Sequence, residues 1–198
     1  MTVGVTLNFP AATTEQYDRT CELMGLAPRG AGPSGLLFHW ASVDGAGMRI
    51  TDLWTSRERF EEFARDQIGP LSQQAGITQP PTATFHDVHN YLTSGTLADT
   101  ITPIAVVMEF QGEMGQYDEV LDLMGFTPNG TGADGGLFHW ATEIEGGART
   151  TDVWQDKATF DAFVETHILP YTAKVGVQPA TSVTVYDVYN YFTAGKEA

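Results

Sequence analysis

Hydrophobic and polar positions alternate at the start of the chain, with Val3, Val5, Leu7 and Phe9 set against Gly4, Thr6 and Asn8. That period of two marks a strand with one apolar face. From Thr14 to Met24 the period lengthens, placing Tyr17, Cys21 and Met24 at helical spacing, and Gly25 followed by Pro28 stops the helix. A glycine-rich connector, Pro28 to Gly35, leads into two runs rich in aromatic and β-branched residues. They meet at Asp44-Gly45-Ala46-Gly47, the sign of a β-hairpin. Ser56 is a good N-cap for a second helix that lines up Phe60, Phe63, Ala64 and Ile68. Pro70 removes a backbone donor, so this helix must kink or restart before it ends near Gly76. A last strand is expected over Thr84 to Leu92.

The same order of elements returns about one hundred residues later. Between Gln16 and Pro70 the two halves align at an offset of 100 without a gap, and 24 of those 55 positions are identical. Such a repeat is a duplication, each copy one supersecondary unit. Strand, helix, hairpin, helix, strand is βαββαβ, the ferredoxin-like unit. The fold class read from the pattern is therefore α+β, with repeats over 1–95 and 104–198 joined by a linker at 96–103. Helices cover only one face of such a sheet. The two repeats are accordingly expected to close their bare faces on each other as an internal pseudo-dimeric α/β barrel.

Composition narrows the partners. The chain carries 10 Lys and Arg against 25 Asp and Glu, a net charge of −15, and shows no basic cluster. Nucleic acid and anionic membranes both need Lys and Arg to neutralise phosphate and are excluded as expected partners. Cys21 is the single cysteine; its counterpart is Leu121, which marks it as a small buried apolar group. No stretch approaches eighteen apolar residues and the first residues lack a signal-peptide pattern, so a cytoplasmic protein is expected.

The hairpins carry the candidate chemistry. With a two- or four-residue turn, facing positions sum to 91 in the first copy and 291 in the second. His39 then opposes Asp52, and His139 opposes Asp152. A carboxylate on one ring nitrogen fixes the tautomer and leaves the other nitrogen free as a general base or acid. The same contact could equally satisfy two buried polar groups and do no chemistry. Because Phe38 and Leu53 suit a helix-facing side, alternation sends His39, Asp52 and Trp54, with His139, Asp152 and Trp154, into the barrel. Asn8 and Glu109, on the polar face of each first strand, are expected to join them in contacting substrate. On the last strands His86 and His89 are replaced by Tyr186 and Tyr189, and alternation does not settle which of each pair faces inward. Two His three apart on a strand point to opposite faces, so no metal site is assigned.

The segment around Trp54, Ser56, Phe60 and Phe63, repeated as Trp154, Asp156, Phe160 and Phe163, resembles the corresponding segment of the dimeric α/β-barrel superfamily, which includes antibiotic-biosynthesis monooxygenase-like proteins. The resemblance spans nearly the whole chain. It implies a hydrophobic aromatic or polyketide-like substrate and cofactor-independent acid/base chemistry, as in a cyclase, an isomerase or a monooxygenase. No cofactor is implied. The haem-degrading branch wants a Trp where Phe63 and Phe163 stand and a His ligand where Gln73 and Ala173 stand, and this sequence departs from it at both. The alternative is a non-catalytic small-molecule binding or carrier protein. A further homodimer of the intramolecular pseudo-dimer is left open.

Overall fold

The computed structural model describes residues 1–196; residues 197–198, the end of the second repeat, lie outside the described residues. The first repeat runs β1 (Val3–Phe9), α1 (Thr14–Leu23), β2 (Leu36–Asp44), β3 (Gly47–Trp54), α2 (Arg57–Phe63), α3 (Gly69–Gln74), β4 (Thr82–Asp87) and β5 (Asn90–Leu92). The second repeats it as β6 (Ile104–Gln111), α4 (Met114–Met124), β7 (Gly136–Ile144), β8 (Gly147–Trp154), α5 (Lys157–Phe163), α6 (Leu169–Val175), β9 (Ser182–Asp187) and β10 (Asn190–Phe192). The fold is α+β, with two five-stranded antiparallel sheets in the orders β10-β2-β3-β1-β4 and β5-β7-β8-β6-β9.

Local signals act where the sequence places them. Thr13 and Gln16 form a capping box at α1, and Ser56 and Asp156 cap the second helix of each repeat. That helix is interrupted before Pro70 and Pro170 by one wide π turn, Ala64–Ile68 and Val164–Ile168, and restarts as α3 or α6. The hairpin turns are tight, pairing Asp44 with Gly47 and Ile144 with Gly147.

Two expectations are corrected. The last strand of each repeat is not continuous over Thr84–Leu92 or Thr184–Phe192: it breaks at residues 88–89 and 188–189. The three residues after the break pair with the sheet of the other repeat, β10 on β2 and β5 on β7. One compact unit is thus 1–87 with 188–198, and the other is 88–187. The exchange left no mark on the hydrophobic pattern, because Tyr91-Leu92 and Tyr191-Phe192 continue an apolar run that reads the same in either sheet.

The second correction concerns the sheet faces. Val5 pairs with Asp52, Leu7 with Ile50 and Phe9 with Met48. Directly opposed residues share a face. The apolar side of β1 therefore carries Asp52, and through Asp52 also His39, on the same side as Tyr17, Cys21, Phe60 and Phe63 of the helices. The expected placement of these residues on the face away from the helices is overturned in both repeats. That other face holds Thr6, Phe38, Trp40, Thr51 and Leu53, which are also buried.

Candidate active site

Each hairpin delivers its imidazole and carboxylate in the register the turn dictates, His39 on Asp52 and His139 on Asp152. His39 Nδ1 lies 2.7 Å from Asp52 Oδ1, and His139 Nδ1 lies 2.7 Å from Asp152 Oδ1. A carboxylate only accepts, so Nδ1 carries the proton.

The other nitrogen is not free, contrary to expectation. Nε2 of His39 meets the hydroxyl of Tyr17 at 2.9 Å, and Nε2 of His139 meets that of Tyr117 at 2.7 Å. The phenol rings lie nearly parallel to the imidazoles, with interplanar angles of 18° and 7°. A further partner arrives on the exchanged strands. Asn190 Nδ2 donates to the Tyr17 hydroxyl at 2.9 Å, and Asn90 Nδ2 donates to that of Tyr117 at 3.2 Å. The same asparagines accept backbone N–H bonds from Arg29 and Asn129, which among the described residues are the non-glycine residues with positive φ.

Both units thus hold one directed relay. Asn N–H donates to the phenol oxygen, the phenol O–H to Nε2, and Nδ1–H to the carboxylate. In that arrangement the carboxylate on Nδ1–H fixes the tautomer in which Nε2 accepts the phenol proton. Burial pushes the Tyr17 and Tyr117 phenols well above their ordinary range, so they remain protonated donors. In the first unit Trp54 Nε1 also donates to Asp52 Oδ2 at 3.3 Å. Tyr17, Tyr117, Asn90 and Asn190 escaped sequence reasoning as site residues. The available signal was a polar atom repeated at apolar positions of both copies.

The relays face cavities. Between sheet and helices the first unit encloses about 60 Å³, lined among others by Leu7, Tyr17, His39, Ile50, Asp52 and Trp54. The second encloses about 110 Å³, lined by Met108, Tyr117, His139, Thr150, Asp152 and Trp154 among others. Apolar walls with a few convergent polar groups are the common form of a small-molecule site.

The remaining candidates line neither cavity. Asn8 and Glu109 lie on the other face, opposite Arg49 and Arg149, and Glu109 forms an ion pair with Arg149 at 2.6 Å. His86, opposite Gly4, is 3.4 Å from the Thr6 hydroxyl, and Tyr186 takes the equivalent place opposite Ala105. His89 meets Asp118 at 2.7 Å, and the Tyr189 hydroxyl donates to Asp18 at 2.7 Å; both sit at the exposed rim of the helix. Cys21 lines the first cavity with its thiol pushed by burial up to about 11, which leaves it an unreactive thiol. Among the described residues no cluster of three or more His, Cys, Asp or Glu could hold a metal ion.

No protein-family model matches the chain, and no curated protein matches it in sequence. Several solved structures do align with it. One, titled "putative monooxygenase" from Fusobacterium nucleatum subsp. nucleatum, aligns with a TM-score of 0.66 at 10% identity, over 100% of this chain and 98% of that one. The likeness is one of fold. A second "putative monooxygenase", from Lactobacillus acidophilus, gives a TM-score of 0.64 at 11% identity, over 98% of this chain and 97% of that one. The whole order of strands and helices is therefore a shared architecture, while at such identities the site residues of this chain stand on their own geometry. Among the described residues no helix is long and apolar enough to cross a membrane.

Proposed function

We propose that the chain is an enzyme of the dimeric α/β-barrel, monooxygenase-like kind, removing a proton from a hydrophobic aromatic or polyketide-like molecule without a cofactor. The observation that carries this reading is the Asn–Tyr–His–Asp relay facing an apolar cavity in both units. A phenol oxygen has two acceptor sites, and the asparagine uses one. A substrate proton can enter at the other as the phenol proton passes to Nε2. The phenol then carries no net charge, and the carboxylate beside Nδ1 balances the imidazolium that forms. The product of this step is a carbanion or enolate in an apolar pocket. Reprotonation at another position is isomerisation, and attack on a second carbonyl is cyclisation. Oxygenation consumes one O₂ per methylene and yields a carbonyl and water. The two similar structures carry monooxygenase titles, which supports the last of these.

One observation favours the alternative of a binding or carrier protein: Nε2 already has a partner, so the relay is complete as it stands. The two readings separate on His39→Gln with His139→Gln. Exchange of the methyl protons of acetophenone in D₂O, followed by NMR, is expected to be accelerated by the wild-type chain. The double variant should lower that acceleration by about 10²–10⁴-fold. An unchanged rate in the variant, or no acceleration by the wild type, would overturn the catalytic reading.

A further inference from the structure

The two cavities are not equivalent, although the relays are. Where the first has Leu36, Met48 and Ile50, the second has Gly136, Ala148 and Thr150, and the freed space accompanies its larger volume of about 110 Å³ against about 60 Å³. The exchange of Ile50 for Thr150 also brings in a hydroxyl. Thr150 is only 5% exposed and its Oγ1 has no hydrogen-bond partner. Asp152 is 8% exposed, and its Oδ2, the oxygen turned away from His139, has no partner either. The matching oxygen of Asp52 is satisfied by the Trp54 indole, and Ile50 asks for nothing. A buried polar group without a partner is costly, and more so when it is charged. The second unit thus keeps two unmet demands in the wall of its cavity.

These demands are complementary and close. Thr150 and Asp152 are two residues apart on β8, so they share a face with their Cα atoms roughly 7 Å apart along the strand. One oxygen between them can accept the Thr150 O–H and donate its own proton to Asp152 Oδ2. An aliphatic or purely aromatic ligand meets neither. A cavity of about 150 Å³ with apolar walls admits one benzene ring, and the second cavity, at about 110 Å³, comes nearer to that than the first at about 60 Å³.

Resting on the reading of these cavities as small-molecule sites, we infer that the second unit alone is the selective one, and that it takes a phenolic ring whose hydroxyl bridges Thr150 and Asp152. Thr150 is then a specificity-determining residue with no counterpart in the first unit.

The test compares phenol with benzene on the full chain, following backbone amide shifts that report each unit separately. Phenol is expected to shift second-unit cavity amides and to bind about tenfold or more tighter than benzene, since its hydroxyl reaches a charged acceptor. Thr150→Val keeps the shape and should cut that preference to about threefold or less. Ala148→Met with Thr150→Ile should remove phenol binding from the second unit. Met48→Ala with Ile50→Thr should widen the first cavity without giving it a comparable preference, because the Trp54 indole already satisfies Asp52 Oδ2. If the paired variants do not fold, Thr150→Val alone decides. Equal affinity for phenol and benzene, a preference unchanged in Thr150→Val, or phenol seated in the first unit would overturn the inference. The acetophenone assay is independent of these outcomes. Phenol selectivity without exchange activity sinks the catalytic reading only, and exchange activity without selectivity sinks this one only.

Discussion

One phenol oxygen in each unit answers both an asparagine and a histidine. Replacing Tyr17 or Tyr117 by Phe leaves a buried amide N–H and a buried imidazole nitrogen unmatched, at a cost of about 1–3 kcal/mol per site. Urea unfolding should read this as a lower midpoint with an unchanged slope. The same phenols make a prediction about alkali. Burial raises both in the folded state above the ordinary value of 10. Above that pH the unfolded chain releases protons that the folded chain keeps, so it binds fewer and stability falls as pH rises. The contribution is complete below about pH 9 and is lost upward from pH 10, with a slope of about 1.4 kcal/mol per pH unit for each phenol. Cys21, raised to about 11 from 9, adds to the loss in the same direction. Unfolding free energies measured from pH 8 to 11.5 should be flat and then fall in the wild type. The Tyr17→Phe, Tyr117→Phe double variant should start lower and fall less steeply, and an equally steep fall would refute the assignment.

At the scale of elements the hairpin is the organising unit, and its register was legible only on condition of a two- or four-residue turn; the structure supplies a two-residue connection, Asp44 pairing with Gly47, which sets His39 on Asp52. The face was not legible. Met48, Ile50 and Trp54 on one side of β3 answer Leu53 on the other, and both sides are buried, so polarity along one strand cannot orient it. The β1–β3 register decides, placing Val5 against Asp52, and only the long-range pairing supplies it. The relay was half legible for a related reason. The Tyr17 ring satisfies the helical apolar period, which conceals that its hydroxyl has a partner on another element. Gly47 marks how closely these elements meet, because a Cβ there would press on the backbone carbonyl of Phe9, and one at Gly147 on that of Phe110. Gly47→Ala and Gly147→Ala should each cost about 1–3 kcal/mol by forcing β-strands apart. Gly45→Ala, with open space around it and a φ of 59°, should cost less. Thermal melts of the three variants check the order, and a Gly45 variant worse than both others would contradict it.

For the whole molecule the exchanged strands make each site a product of both repeats. Phe192 of β10 pairs with His39 and lies tilted with its centroid 4.8 Å from that of the imidazole, and Asn190 holds the Tyr17 hydroxyl, while Asn90 does the same for Tyr117. A fragment of residues 1–100 keeps the helices and β1–β4 of the first unit but loses β10, so the outer edge of β2 and the His39 ring are uncovered. That fragment still carries β5, whose Asn90 and Tyr91 are identical to Asn190 and Tyr191, with Leu92 in place of Phe192. Its β5 has no β7 to join and can seat on the β2 edge of a second copy. Identical elements traded between two copies are an accessible route to a dimer. The fragment should therefore run as a dimer by light scattering after gel filtration, with Asn90 of one copy bonded to Tyr17 of the other. Asn90→Ala should weaken the dimer by about tenfold, the scale of one lost hydrogen bond to a buried partner. A folded monomer of residues 1–100, with His39 as protected as in the full chain, would show that the exchanged strand is dispensable to the site.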